Sequence, residues 1–157
     1  MEDLLGIGDR DKWLHVAIRL VTAVLLGTII GIQREQTGKA AGLRTHMLVA
    51  LAACLFVVVV SEMGLTAGDA SRVIQGVATG IGFIGGGAIL KLRDQQEVHG
   101  LTTAAGIWMT ASLGVAAGHG HLATALFSGI LTWIILAVVA KIEPHLGTGK
   151  KNSRLTG

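Results

Sequence analysis

The chain is short of charge. Asp, Glu, Lys and Arg make up 15% of its 157 residues, against 51% hydrophobic residues. A soluble domain of this length needs far more polar surface than that. Cysteine occurs once, at Cys54, so no intrachain disulfide framework can form and the thiol is read as packed and inert. Carboxylates are missing from the interior of every long apolar run. That leaves no ready ligand set for magnesium, which takes oxygen donors in near-octahedral geometry. Ser61, Ser112 and Ser128 have no His and Asp arranged with them at a shared depth, so no catalytic residue, enzyme activity or cofactor is read.

What is present is a series of uncharged runs. Residues 20–33, 45–61, 73–90 and 98–140 carry no Asp, Glu, Lys or Arg. The last, 43 residues long, is about twice the roughly 20 needed for one membrane crossing, so it must fold back on itself. Gly118-His119-Gly120-His121 is the natural break. Five spans follow: Trp13–Ile32, Thr45–Val60, Arg72–Leu90, Leu101–Ala117 and Leu122–Ala140. The expected fold is an all-α, polytopic membrane domain over residues 13–140, preceded by a short polar segment, 1–12, and followed by a flexible basic tail, 141–157. Arg19, inside the first span, either snorkels to the headgroups or is a buried functional group; snorkelling is the simpler reading.

Nine basic residues lie in the loops 33–44 and 91–100 and in the tail: Arg34, Lys39, Arg44, Lys91, Arg93, Lys141, Lys150, Lys151 and Arg154. The other face is richer in acids, including Glu62 and Asp69. The positive-inside rule then places the N-terminus outside and the C-terminus in the cytoplasm. The net charge of +3 and pI of about 9.4 describe these flanking loops and do not call for nucleic acid. The first apolar run is not a cleavable signal, because its N-terminal flank is acidic and no small-residue cleavage pattern follows it.

"GIGFIGGGAIL", residues 80–90, contains the G-x-G-x-x-G spacing of dinucleotide loops. Neither the strand before it nor the acid after it is present, and a bare glycine loop cannot satisfy its backbone in lipid. Glycine here serves close helix packing: Gly76 and Gly80, and Gly82 and Gly86, are four apart. Gly27 and Gly31 repeat the spacing, and Gly106, Gly114 and Gly118 lighten the fourth span. The third span is thus expected to be the central contact surface, with Trp108 and Trp133 packing on glycine faces. Gly85-Gly86-Gly87 exceeds what packing needs, so a kink or unwound turn lining an ion path is the alternative.

Four blocks, "LLGTIIGIQRE" at 25–35, "AGLRTHMLVALAACLF" at 41–56, "GIGFIGGGAIL" at 80–90 and "VHGLTTAAGIWMTASLGVAAGHG" at 98–120, resemble in order and spacing the signature blocks of the MgtC/SapB family of bacterial inner-membrane proteins. The resemblance covers about residues 15–140. It implies a domain of about five helices and a role in adaptation to low magnesium, acid stress or life inside a host. The better-studied members look like regulators of another membrane complex, proposed to be the ATP synthase, rather than magnesium transporters. Two departures stand out. Gly86 replaces the family's usual alanine, and the family's namesake carries a soluble C-terminal domain where this chain has 17 residues after Ala140.

The resemblance marks polar positions. Arg34, Glu35, Arg44 and Thr45 belong to a loop that binds either a partner or phosphate, or else lipid headgroups while setting topology; Thr45 can cap the second helix. Asp69 and Arg72 match the family's Asp-x-x-Arg and suit a helix start. Gln75 is read as a bond between helices, and Thr102, Thr103 and Trp108 complete the fourth block. His119 and His121 are read as a polar turn, since two ligands make a weak metal signal. The expected protein is a non-enzymatic multi-pass protein of the bacterial inner membrane, a homodimer in the lipid bilayer, regulating a membrane protein partner. A small ion transporter or channel with a glycine-broken third helix is the alternative.

Overall fold

The computed structural model describes residues 10–64, 66–91 and 98–142; residues 1–9, Arg93 and the basic tail beyond 142 lie outside that range. Five helices carry the fold: α1 (Arg10–Gln36), α2 (Leu43–Glu62), α3 (Ala67–Gly87), α4 (Leu101–Gly118) and α5 (Leu122–Ile134). A single π-helical turn, Ile135–Val139, extends α5. Between α3 and α4, β1 (Leu90–Lys91) and β2 (Val98–His99) pair antiparallel for two residues, with Leu90 opposite His99. The all-α expectation holds apart from that pair.

Among the described residues, four helices are long and apolar enough to cross a membrane: α1, α2, α4, and α5 with its extension to Ile142. α3 is as long as these but is diluted by glycine and polar residues along its 21 positions. The break at residues 118–121 is where the sequence puts it. Gly120 takes φ +80°, a left-handed turn that residues with a β-carbon avoid.

The outer surface is that of a molecule solvated by lipid. Phe83, Phe127, Phe56, Leu25 and Ile130 are all more than half exposed, spread over four helices. In water, apolar exposure on this scale drives aggregation. In a bilayer it costs nothing, and the helices are held by fit rather than by water exclusion.

That fit is centred on α2, not on α3 as the glycine count suggests. A β-carbon on Gly27 would meet the His46 carbonyl oxygen at 2.6 Å, and one on Gly31 would meet Leu43 Cα at 2.8 Å, so α1 rests on the α2 backbone. From the other side, Gly114 presses on the Ala50 carbonyl, and a β-carbon on Gly118 would come within 2.7 Å of the Cys54 carbonyl oxygen. α2 is thus clasped between the small-residue faces of α1 and α4. Cys54 is buried at this junction as a free thiol, as read.

On α3 only Gly85 approaches another helix, with Ala104 Cβ at 3.6 Å; a β-carbon on Gly76, Gly80, Gly82, Gly86 or Gly87 meets nothing within 4 Å. The expectation that these glycines form the central contact therefore does not hold within one chain. Nor does the triplet interrupt the helix: α3 stays α-helical through Gly87 and ends there, at a cap on Ala88. Trp108 and Trp133 also differ from expectation. Each is about half exposed, with Trp108 beside α3 at Ile74 and Val77.

Candidate functional site

The densest buried polar cluster lies at one end of the bundle, where α1 closes on the starts of α2 and α4. α1 does not stop at Ile32 but runs four residues further, to Gln36. This places Arg34 on the inward stripe Gly27, Ile30, Gly31 at helical spacing. Arg34 is 2% exposed, and its Nη2 donates to Thr103 Oγ1 at 3.3 Å. Its Nε–H is shielded and has no acceptor. Among the described residues no carboxylate pairs with the guanidinium, in contrast to Arg72 on α3, which pairs with Asp69.

His46 lies one turn into α2 and is fully buried. Its Nδ1 is 2.8 Å from Thr110 Oγ1. The Thr110 hydroxyl itself donates to the Gly106 carbonyl at 2.8 Å, and a carbonyl can only accept. His46 Nδ1 must therefore be the donor to Thr110, which leaves Nε2 of the neutral ring as a lone-pair acceptor. That Nε2 is buried and has no partner. Gly106 makes room for the ring, since a β-carbon there would lie 3.7 Å from His46 Cε1. Thr103, Gly106 and Thr110 form one polar stripe down α4.

A cation and an imidazole held inside a membrane bundle, each with an unsatisfied ring or guanidinium nitrogen, are costly to keep there. Such groups mark function more often than stability. The arrangement can bind or exchange a small hydrogen-bonding species. Its sign is positive, which repels a divalent cation.

The remaining family-motif positions divide by role. Glu35 accepts from the Leu43 amide at 2.9 Å, across Gly42, where a β-carbon would collide with the carboxylate. It thereby caps α2 from the preceding helix, and this corrects the assignment of that role to Thr45. The N-cap is Gly42, Thr45 is partly buried without capping the helix, and Arg44 is exposed. Asp69 and Thr66 form a reciprocal capping box, and Arg72 Nη1 joins Asp69 Oδ1 at 2.9 Å on the surface, as the helix-start reading has it. Gln75 reaches only Ser71 of its own helix, and Thr102 is exposed beside the buried Thr103.

At the opposite end, Arg19 Nη1 donates to the Gly118 carbonyl at 3.2 Å, satisfying the end of α4. The His119 and His121 rings lie 6.2 Å apart, and no cluster of three metal-ligating side chains occurs among the described residues. His46 carries no expectation from the sequence. The signal that finds it is the inward stripe His46, Ala50, Ala53, Val57.

Helices of bilayer length, a lipid-facing surface and a buried cationic cluster define a helical membrane protein. The family model described as the MgtC family matches residues 20–145, and the chain belongs to that family. It is 39% identical to "Protein SrpB" of Synechococcus elongatus, over 85% of this chain and 80% of that one. It is 38% identical to "Putative magnesium transporter YhiD" of Escherichia coli K12, over 88% of this chain and 67% of that one. To "Protein MgtC" of Brucella abortus it is 42% identical, over 83% of this chain, and there it spans about half of the relative's length, 52%. No solved structure gives a significant match.

Proposed function

We propose that this protein is a non-enzymatic, multi-pass protein of the bacterial inner membrane, N-terminus outside and C-terminus in the cytoplasm, that regulates another membrane complex during adaptation to low magnesium or acid stress. It acts as a homodimer or through a membrane protein partner. The observation that carries this reading is the unoccupied face of α3. Gly76 and Gly80 line a groove of about 670 Å³ between α2 and α3, walled by Val49, Phe56, Val77 and Ile81 and open to any neighbouring helix. The small-xxx-small spacing used inside the chain by α1 and α4 is left unused there.

Magnesium enters through the relatives, one of which is named for transporting it. Transport by this chain finds less support. The buried polar cluster is cationic, the described spans lack interior carboxylates, and the Gly85–Gly87 triplet ends a helix instead of opening one.

A photo-crosslinking residue in place of Phe56, an exposed residue on the wall of this groove, introduced in cells, tests the reading. Adducts with a second copy or with one defined membrane protein are expected, with none from the same residue at exposed Leu25 on the far side of α1. Equal, diffuse labelling from both positions would overturn it.

A further inference from the structure

The seam between α4 and the α1–α2 pair is fastened unevenly. Along the second half of α4 it is tight, with no room for a β-carbon on Gly114 against the Ala50 carbonyl or on Gly118 against the Cys54 carbonyl. Nearer the start of α4 it loosens to ordinary contact, Gly106 against the edge of the His46 ring. There two side-chain hydrogen bonds fasten it, Arg34 to Thr103 and His46 to Thr110. α1 and α2, by contrast, stay tied at this end by Glu35 on the Leu43 amide and by Gly31 against the Leu43 backbone. The first half of α4 is therefore the part whose seating depends on side-chain chemistry.

That chemistry admits one protonation state. The relay from His46 Nδ1–H through Thr110 to the Gly106 carbonyl uses the one donor of a neutral ring and leaves Nε2 bare. A proton on Nε2 would create a second cation in a fully buried position, and Arg34 is close enough to act on the ring electrostatically. The Ala41 carbonyl favours a charged ring but stands outside hydrogen-bond geometry with Nε2. No other charge compensates. α4 has no titratable side chain, Glu35 is turned to the Leu43 amide, and Arg44 is exposed. Cys54 lies two turns deeper, and Asp69 and Arg72 pair at the far end. An imidazolium is at home only where water reaches it, which requires the start of α4 to move outward. The opened form binds one proton more than the closed one, so falling pH favours it, below about 6.5, where a solvated imidazole titrates.

We infer that His46 is a proton-operated latch: transient opening admits a proton to the ring, which then holds the first half of α4 away from the α1–α2 pair, with the tight contacts at Gly114 and Gly118 as the hinge. The latch does not rest on the partner reading of the α2–α3 face.

Spin labels at Gln36→Cys and Leu101→Cys, both exposed, at the end of α1 and the start of α4, measure the seam in lipid nanodiscs, in a Cys54→Ala background. One short distance is expected at pH 8. A longer one is expected to appear below pH 6.5, its ratio to the first rising about tenfold per pH unit. A control pair at the opposite end, Leu14→Cys with Met63→Cys, is expected to keep its distance throughout. His46→Asn, which keeps a donor for Thr110 but cannot titrate, should abolish the transition. Arg34→Met should move it to lower pH by removing the neighbouring charge. A seam distance that ignores pH overturns the inference. So does a transition that survives His46→Asn, since it then belongs to another group such as His99, ahead of α4. A transition unmoved by Arg34→Met overturns it equally, whether or not the asparagine variant folds, and a simultaneous change in the control pair does so by showing acid unfolding instead.

Discussion

At the residue scale, the energetics of Arg34 are the most informative. A buried guanidinium held by a single neutral hydroxyl and no carboxylate contributes nothing obvious to stability. Exchanging such a charge for an apolar side chain of similar length is often neutral or stabilising, by up to about 4 kcal/mol, provided no partner charge is stranded. None is here. Arg34→Met is therefore expected to leave the thermal midpoint in detergent unchanged or raised, while abolishing rescue of a deletion strain in low-magnesium medium. A midpoint lowered by many degrees would mean that the arginine is structural, and the functional reading of the cluster would fail. Arg34 was legible in the sequence only as a loop cation, because the uncharged run ends at Gln33. α1 continues to Gln36, and that one extra turn carries Arg34 inward. Charge marks where lipid-facing chain stops, not where a helix stops.

At the scale of the elements, the five helices and the turn at 118–121 were legible, since an uncharged run of bilayer length has few other uses. Which small-residue face meets which helix was not. Glycine spacing reports that a close approach is possible; it does not name the partner. Gly27, Gly31, Gly114 and Gly118 spend that capacity on α2, whereas Gly76 and Gly80 of α3 leave it unspent within the chain. The two sets should respond differently to the same change. Gly114→Leu drives a side chain into the Ala50 carbonyl and should lower stability by about 1–3 kcal/mol or prevent folding, as overpacking does. Gly80→Leu should fold with an unchanged melting profile and lose crosslinks to its neighbour. Equal destabilisation by both, measured by thermal denaturation in detergent, would mean that α3 is packed within the monomer after all.

At the scale of the whole molecule, polar groups gather at two ends and an apolar groove opens at one side. The Arg34–His46 cluster and the α1–α5 groove share the end bearing Lys39 and Lys141, the capping box of α3 lies at the other, and the α2–α3 groove opens laterally. This division has meaning only if the chain threads the bilayer in the orientation that its charges dictate. Impermeant maleimide labelling of intact cells measures that orientation. Buried Cys54 leaves the parent protein silent, so cysteines placed at the exposed positions Glu62 and Lys39 report the two faces. Glu62→Cys is expected to label in intact cells, and Lys39→Cys only after the membrane is permeabilised. Labelling of Lys39→Cys from outside, or of both positions without permeabilisation, would contradict the account.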